Sequence, residues 1–173
     1  MDLTQIIRNV PDFPKEGIQF KDITTLLQHE GAFKYVIDTW LERYTDSDID
    51  IIIGTDARGF IFGGALAYAL GKPLSLVRKK GKLPHETISE TYELEYGMDT
   101  LEMHTDALSK GDRILLIDDL LATGGTMEAT AKLVDKLGGD IVEMAFVVEL
   151  PPLKGRERLS KYNIHSLVEF MVD

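Results

Sequence analysis

Residues 114–126 read Ile-Leu-Leu-Ile-Asp-Asp-Leu-Leu-Ala-Thr-Gly-Gly-Thr. Four large apolar residues in a row predict a strand buried on both faces, as in a parallel sheet covered by helices. Asp118 and Asp119 fall where that strand is expected to end, and a small-residue loop then leads into a helix from about Thr126. In open α/β sheets, ligands bind just outside the carboxyl ends of strands. Backbone N–H groups at a helix N-terminus favour an anion there. Gly124 and Gly125 allow close approach of the main chain from Ala122 onward, and Thr123 and Thr126 offer hydroxyl donors. A strand, turn and helix of this kind is also a common plain connection, with Thr126 as an N-cap. The two adjacent carboxylates, with no local cation, argue against that simpler account. Ionised carboxylates only accept hydrogen bonds, and the vicinal hydroxyls of a sugar would supply the donors. The segment therefore predicts a ribose 5-phosphate site. No Lys follows the glycines, which separates it from the G-x-x-x-x-G-K-[ST] loop that holds nucleoside triphosphates.

Outward from this segment, strand and helix patterns alternate. A helix is expected over 32–44, where apolar residues recur at 33, 36, 37, 40 and 41. A strand over 49–54, a small-residue helix over 60–70 closed by Gly71, and a strand over 73–77 follow. Strand 113–117, helix 127–137, a Gly138-Gly139 stop and strand 141–148 continue the rhythm. This predicts an α/β fold with a mainly parallel central sheet flanked by helices. Residues 4–10 read as a short helix, 13–24 as a turn and extended strand, 91–106 as a hairpin around Gly97, and 153–159 as a short helix. The hairpin and the N-terminal segment break the rhythm and are expected to lie over the carboxyl edge of the sheet.

Length and composition limit what this fold can do. One domain, 1–173, is expected. The net charge of −10 argues against nonspecific nucleic-acid binding, which depends on clustered cations. The uncharged run 60–71 is short of the roughly 20 apolar residues that a bilayer span needs, so no membrane is expected. The N-terminus lacks the basic and apolar regions of a signal peptide. The absence of cysteine excludes disulfides and thiolate metal sites and suits the cytoplasm.

Cations cluster at two other places. Gly54-Thr-Asp-Ala-Arg-Gly-Phe-Ile-Phe-Gly63 repeats the strand, loop and helix arrangement, with Arg58 as a fixed cation beside a second anion position. Arg78-Lys-Lys-Gly-Lys82 places four positive charges in five residues after a strand, including Lys79. Such a run is often a solvated turn; in an acidic chain, a polyphosphate or a second subunit would also account for it. Tyr92-Glu-Leu-Glu-Tyr-Gly97 has an ordinary solvent-facing composition, yet in a hairpin it forms a flap able to close over a substrate. The four histidines have no ligand spacing, and no nucleophile elbow or G-x-G-x-x-G occurs.

Together these blocks resemble the type I phosphoribosyltransferases. The carriers are F-P-K-E-G-I-Q-F-K-D-I at 13–23, D-A-R-G-F-I-F-G at 56–63, R-K-K-G-K-L-P at 78–84, Y-E-L-E-Y-G at 92–97, D-D-L-L-A-T-G-G-T at 118–126, V-E-L at 148–150 and L-K-G-R-E at 153–157. The phosphate loop is shared widely in that family; the other blocks are similar to its adenine-specific members. His85 and Glu86 depart from the smaller residues usual after K-L-P.

The resemblance implies a small N-terminal hood (about 1–28) and a flexible hairpin flap (about 79–106). It implies that Ala122, Thr123, Gly124, Gly125 and Thr126 hold the 5-phosphate of phosphoribosyl pyrophosphate, with Asp118 and Asp119 facing the ribose hydroxyls. Arg58, Arg78, Lys79 and Lys82 would serve pyrophosphate, with a homodimer interface as one route for Arg78 and the lysines to reach it. Adenine would lie among Gln19, Phe20, Lys21 and Leu150, with Glu95 handling its proton. Magnesium is expected to arrive with the substrate, since no oxygen cage is visible in the sequence. A transferase for hypoxanthine, guanine or orotate stays open, as does a non-catalytic sensor of phosphoribosyl pyrophosphate. The sensor would need a DNA-binding helix pair and a basic face, for which the chain has neither length nor charge.

Overall fold

The computed structural model describes residues 1–94 and 97–171. Strands β1 (Arg8–Pro11) and β2 (Gln19–Asp22) pair antiparallel, and helices α1 (Thr24–Gln28) and α2 (Ala32–Tyr44) follow. Next come β3 (Ile51–Thr55), α3 (Gly59–Leu70), β4 (Leu74–Lys79), β5 (Thr87–Glu93), β6 (Met98–His104) and β7 (Arg113–Leu121). Helix α4 (Gly125–Leu137), β8 (Asp140–Glu149), α5 (Gly155–Arg158) and β9 (Ile164–Glu169) complete the order. Among the described residues the main sheet runs β5-β6-β4-β3-β7-β8-β9. Its pairs from β4 through β9 are parallel, and β6 joins β5 and β4 antiparallel. The predicted α/β class, with a mainly parallel sheet between helices, is the observed one.

The near-continuous apolar character of β7 follows from cover on both faces. Successive side chains of a strand point to opposite sides. Leu115 and Ile117 join a core with Trp40 and Val36 of α2 and Phe62 and Leu66 of α3. Ile114 and Leu116 join another with Leu133 and Val134 of α4 and Leu101 and Met103 of the hairpin. In the first core the Phe62 ring meets Trp40 edge-on at 6.1 Å and Phe33 at 5.6 Å. Trp40 is fully buried. Trp40→Ala is therefore expected to lower unfolding stability by about 3–5 kcal/mol, readable from urea melts.

Tertiary pairing changed several local expectations. Residues 4–10 do not form a helix. A 3-10 turn at Leu3–Gln5 gives way to β1, held to β2 by register and by an Arg8–Asp22 ion pair. The extended stretch ends at Asp22, whose carboxylate accepts from the Thr24 N–H at 2.9 Å and starts α1. The hairpin was expected from residue 91 but begins at Thr87. It continues the sheet sideways through Arg78↔Glu102 and Lys79↔Leu101, at the carboxyl end of β4, and brings Tyr92, Leu94 and Asp99 to that edge. The tail contributes β9, paired with β8 and masked in sequence by the mixed polarity of an edge strand. The short helix at 153–159 resolves into a 3-10 turn, Pro151–Leu153, and α5.

The largest correction concerns β7. The strand does not end at the acids; it continues to Leu121, pairing Asp118 with Phe146 and Leu120 with Val148. The reason is the length of β8, which offers ladder partners as far as Glu149. The two acids are thus fixed by sheet hydrogen bonding and do not belong to a loop.

Candidate active site

At the carboxyl end of β3, β4 and β7 lies a cavity of about 580 Å³, a size suited to a small ligand. Its floor is Asp118 and Asp119, and one wall is the main chain from Ala122 to Thr126. Helix α4 begins there with Gly124 in the left-handed region (φ 82°) and no side-chain cap. A helix start without such a cap leaves N–H groups free for an anion. An added Cβ at Gly124 would sit 3.1 Å from the Gly155 carbonyl oxygen, so both the φ and the space require glycine. Gly155 in turn supports the loop from below: a Cβ there would lie 2.4 Å from the Ala122 oxygen and 2.7 Å from Leu121 Cδ1. The L-K-G-R-E block thereby acquires a physical role, one that residue chemistry alone did not reveal.

The second wall comes from the loop after β3. Arg58 Nε donates to Asp119 Oδ2 at 2.5 Å, and the Arg58 guanidinium stands 5.9 Å from the Phe20 ring. Burial works against the Arg58 charge, but Asp119 outweighs it and the guanidinium pKa is raised. Asp118 is pushed well above the usual carboxylate range, first by burial and then by the charge of Asp119. The residue retains some solvent exposure, yet its Oδ1 packs against Gly59, where an added Cβ would come within 3.1 Å. Its Oδ1 also accepts from the Asp119 N–H at 2.9 Å.

The cavity gathers most of the sequence-predicted residues. Arg58, Lys79, Lys82, Asp118, Asp119 and the whole 122–126 loop line it. Arg78 stands behind that wall, 3.5 Å from Asp56 and 5.9 Å from the Phe60 ring. Gln19, Lys21 and Leu150 also lie off the wall. Gln19 accepts from Asn9 at 2.6 Å, Lys21 donates to Asn9 at 2.8 Å, and the buried Leu150 donates its N–H to Leu121 at 2.9 Å. Glu95 lies outside the described residues.

Three polar lining residues escaped the sequence reading. Asp56 was hidden inside the D-A-R-G block, where only the cation drew attention. Asp99 of β6 binds Lys79 of the neighbouring β4 at 3.1 Å, a contact that depends on the pairing of the two strands. Tyr92 is buried, with its hydroxyl 3.3 Å from Thr126 Oγ1. Its place in an alternating strand was the one available signal.

A sheet edge that offers two fixed carboxylates, a bare helix N-terminus and an arginine-bearing loop in one cavity is built for a phosphorylated sugar. In agreement, the phosphoribosyl transferase domain model matches residues 22–172, and the chain belongs to that family. The adenine phosphoribosyltransferase of Clostridium tetani is 56% identical over 170 residues, covering 98% of this chain and 99% of the relative. Among solved structures, adenine phosphoribosyltransferase from Thermoanaerobacter pseudethanolicus superposes with a TM-score of 0.91 at 51% identity, covering 96% and 97% of the two chains. The Saccharomyces cerevisiae enzyme, solved with an imino-altritol bisphosphate and adenine, gives 0.91 at 39% identity, with 96% of each chain covered. No helix among the described residues is long and apolar enough to cross a membrane.

Proposed function

We propose that this chain transfers the 5-phosphoribosyl group of phosphoribosyl pyrophosphate to adenine, releasing AMP and pyrophosphate in purine salvage. The observation that carries the reading is the placement of Asp118 and Asp119 directly before an uncapped helix start, in the same cavity as Arg58. The bond from ribose C1 to the pyrophosphate oxygen breaks, and a bond from adenine N9 to C1 forms on the opposite face. Positive charge develops on the sugar as the leaving group departs. The carboxylates of Asp118 and Asp119 stabilise it, and their accepting oxygens orient the ribose hydroxyls.

The 5-phosphate sits on the main chain of Ala122, Thr123, Gly124, Gly125 and Thr126. Arg58, Lys79 and Lys82, with Arg78 behind them, meet the pyrophosphate. Adenine is taken by the hood, with Phe20 against the ring, Leu150 beneath it and backbone groups at Gln19 and Lys21 reading its edge; Phe20 already faces Arg58. Glu95 accepts the N9 proton, a role that rests on the Y-E-L-E-Y-G block at 92–97. The pyrophosphate oxygens and the carboxylate-lined floor suit Mg²⁺, which has a strong preference for oxygen donors. When bound, that ion would neutralise charge on the leaving group.

A homodimer and a cytoplasmic setting belong to the same proposal. Helix α3 leaves Ile61 and Tyr68 exposed beside Leu74, an apolar face that a second copy would cover. The cysteine-free composition suits a reducing compartment. Sedimentation velocity at micromolar concentration is expected to show twice the chain mass.

The direct test mixes the purified protein with phosphoribosyl pyrophosphate and Mg²⁺ and follows pyrophosphate release with adenine, hypoxanthine, guanine and orotate in turn. Release with adenine alone, matched by AMP, is expected. Release with another base would keep the phosphate assignments and remove the adenine hood. Binding without release for any base would favour the sensor reading.

A further inference from the structure

The pyrophosphate end of the cavity contains a carboxylate for which that chemistry has no evident use. Asp56 follows β3 directly, its side chain is 5% exposed, and its N–H donates to the Val77 carbonyl oxygen at 2.9 Å. The single oxygen Oδ2 accepts from the Lys79 main-chain N–H at 3.3 Å and from Lys82 Nζ at 3.3 Å, and Arg78 Nε forms an ion pair with it at 3.5 Å without donating a hydrogen bond. Arg78 Nη1 donates in turn to the Lys82 carbonyl oxygen at 3.3 Å. Two cations from different ends of the basic run therefore converge on one buried oxygen. By charge alone, a carboxylate beside an anion subsite opposes binding. Its contacts give it another purpose. Long Lys and Arg side chains have many rotamers, and holding them ready before the ligand arrives carries an entropic cost that a fixed counter-charge offsets.

We propose that Asp56 is a positioning residue that acts through Arg78 and Lys82, keeping both aimed at the pyrophosphate end of the cavity without touching the substrate itself. The proposal rests on the phosphoribosyl-transfer reading. A neutral side chain at 56 leaves Lys82 free to follow solvent, so ligands carrying pyrophosphate lose affinity while the base does not.

The test compares wild type, Asp56→Asn, Asp56→Glu, the Arg78→Met/Lys82→Met double variant and that double variant combined with Asp56→Asn. KM values for phosphoribosyl pyrophosphate and adenine are measured forward, and KM for pyrophosphate is measured in reverse with AMP. Asp56→Asn is expected to raise both pyrophosphate-dependent KM values about tenfold, leave the adenine KM within about twofold, and be partly rescued in Asp56→Glu. In the Arg78→Met/Lys82→Met background the same change is expected to add less than about twofold, since coupled residues are not additive. An unchanged or lower KM in Asp56→Asn would overturn the proposal. So would a full tenfold effect in the double-variant background, which would make Asp56 a direct contact. If Asp56→Asn loses its cooperative thermal melt, Asp56→Ala, which also removes the charge, carries the same comparison. If wild type turns over no base, the transfer reading fails by itself, and calorimetric binding of phosphoribosyl pyrophosphate to the same variants still decides the role of Asp56.

Discussion

Asp118→Asn is expected to lower kcat about 10²–10³-fold and at the same time raise the melting temperature of the ligand-free protein above neutral pH. Both effects come from the carboxyl group packed against Gly59 beside Asp119. Burial, and then the neighbouring charge, holds its pKa well above the usual carboxylate range. A group whose folded value lies above its unfolded value stabilises the fold fully below the unfolded value, near 4 for Asp, and loses that contribution as pH rises through the folded value. Asn carries no such penalty, so the variant gains over wild type as pH rises and the gap closes in acid. Turnover has the opposite requirement, because only the ionised form faces developing positive charge. The kcat of wild type should thus fall on the acid side at a pH above the ordinary carboxylate range, and Asp118→Asn should lose that limb. Thermal melts at pH 5 and pH 8, with a pH–rate profile, check both halves. Identical melting shifts at the two pH values would contradict the assignment.

Gly155→Ala is the second large effect. A methyl group there would lie 2.4 Å from the Ala122 oxygen, with the Leu121 side chain also in the way, and neither neighbour is the loose end of a flexible chain. The 122–124 main chain must shift. A displacement on the order of 1 Å in groups that position a substrate costs about 10²-fold. A rise of about that size in KM for phosphoribosyl pyrophosphate is expected, together with a stability loss of about 1–3 kcal/mol from overpacking. A variant that melts lower but keeps its KM within about twofold would show that the loop does not depend on this support.

The sequence was most legible where one element carried its own pattern. The predicted helix at 32–44 is α2 to the residue, because its apolar stripe lies within one element and packs on the neighbouring α3. The phosphate loop was legible because glycine, hydroxyl and acid occur together in nine residues. Features that depend on a distant partner were not legible. Strand β1 exists because β2 pairs with it, and β9 because β8 has a free edge. The run of β7 past both acids depends on the length of β8. Within the site, the cations of 78–82 were evident as charges, but their direction is set by Asp56 and Asp99, which arrive from separate strands.

The contact between Arg58 and Asp119 has a consequence for selectivity. In the ligand-free cavity the Arg58 guanidinium and the Asp119 carboxylate satisfy each other. Free phosphate or pyrophosphate could draw Arg58 away, but Asp119, only 4% exposed, would then be left without its partner, an arrangement that low-dielectric surroundings penalise strongly. A plain sugar has the reverse defect, since it would need Asp119 while Arg58 still claims it. One molecule that presents vicinal hydroxyls and a polyanion on the same frame answers both groups at once. On the proposed assignment of Arg58 to pyrophosphate and Asp119 to the ribose hydroxyls, the pair would act as a coincidence gate, rejecting the abundant fragments of the substrate by the incompleteness of what each can offer.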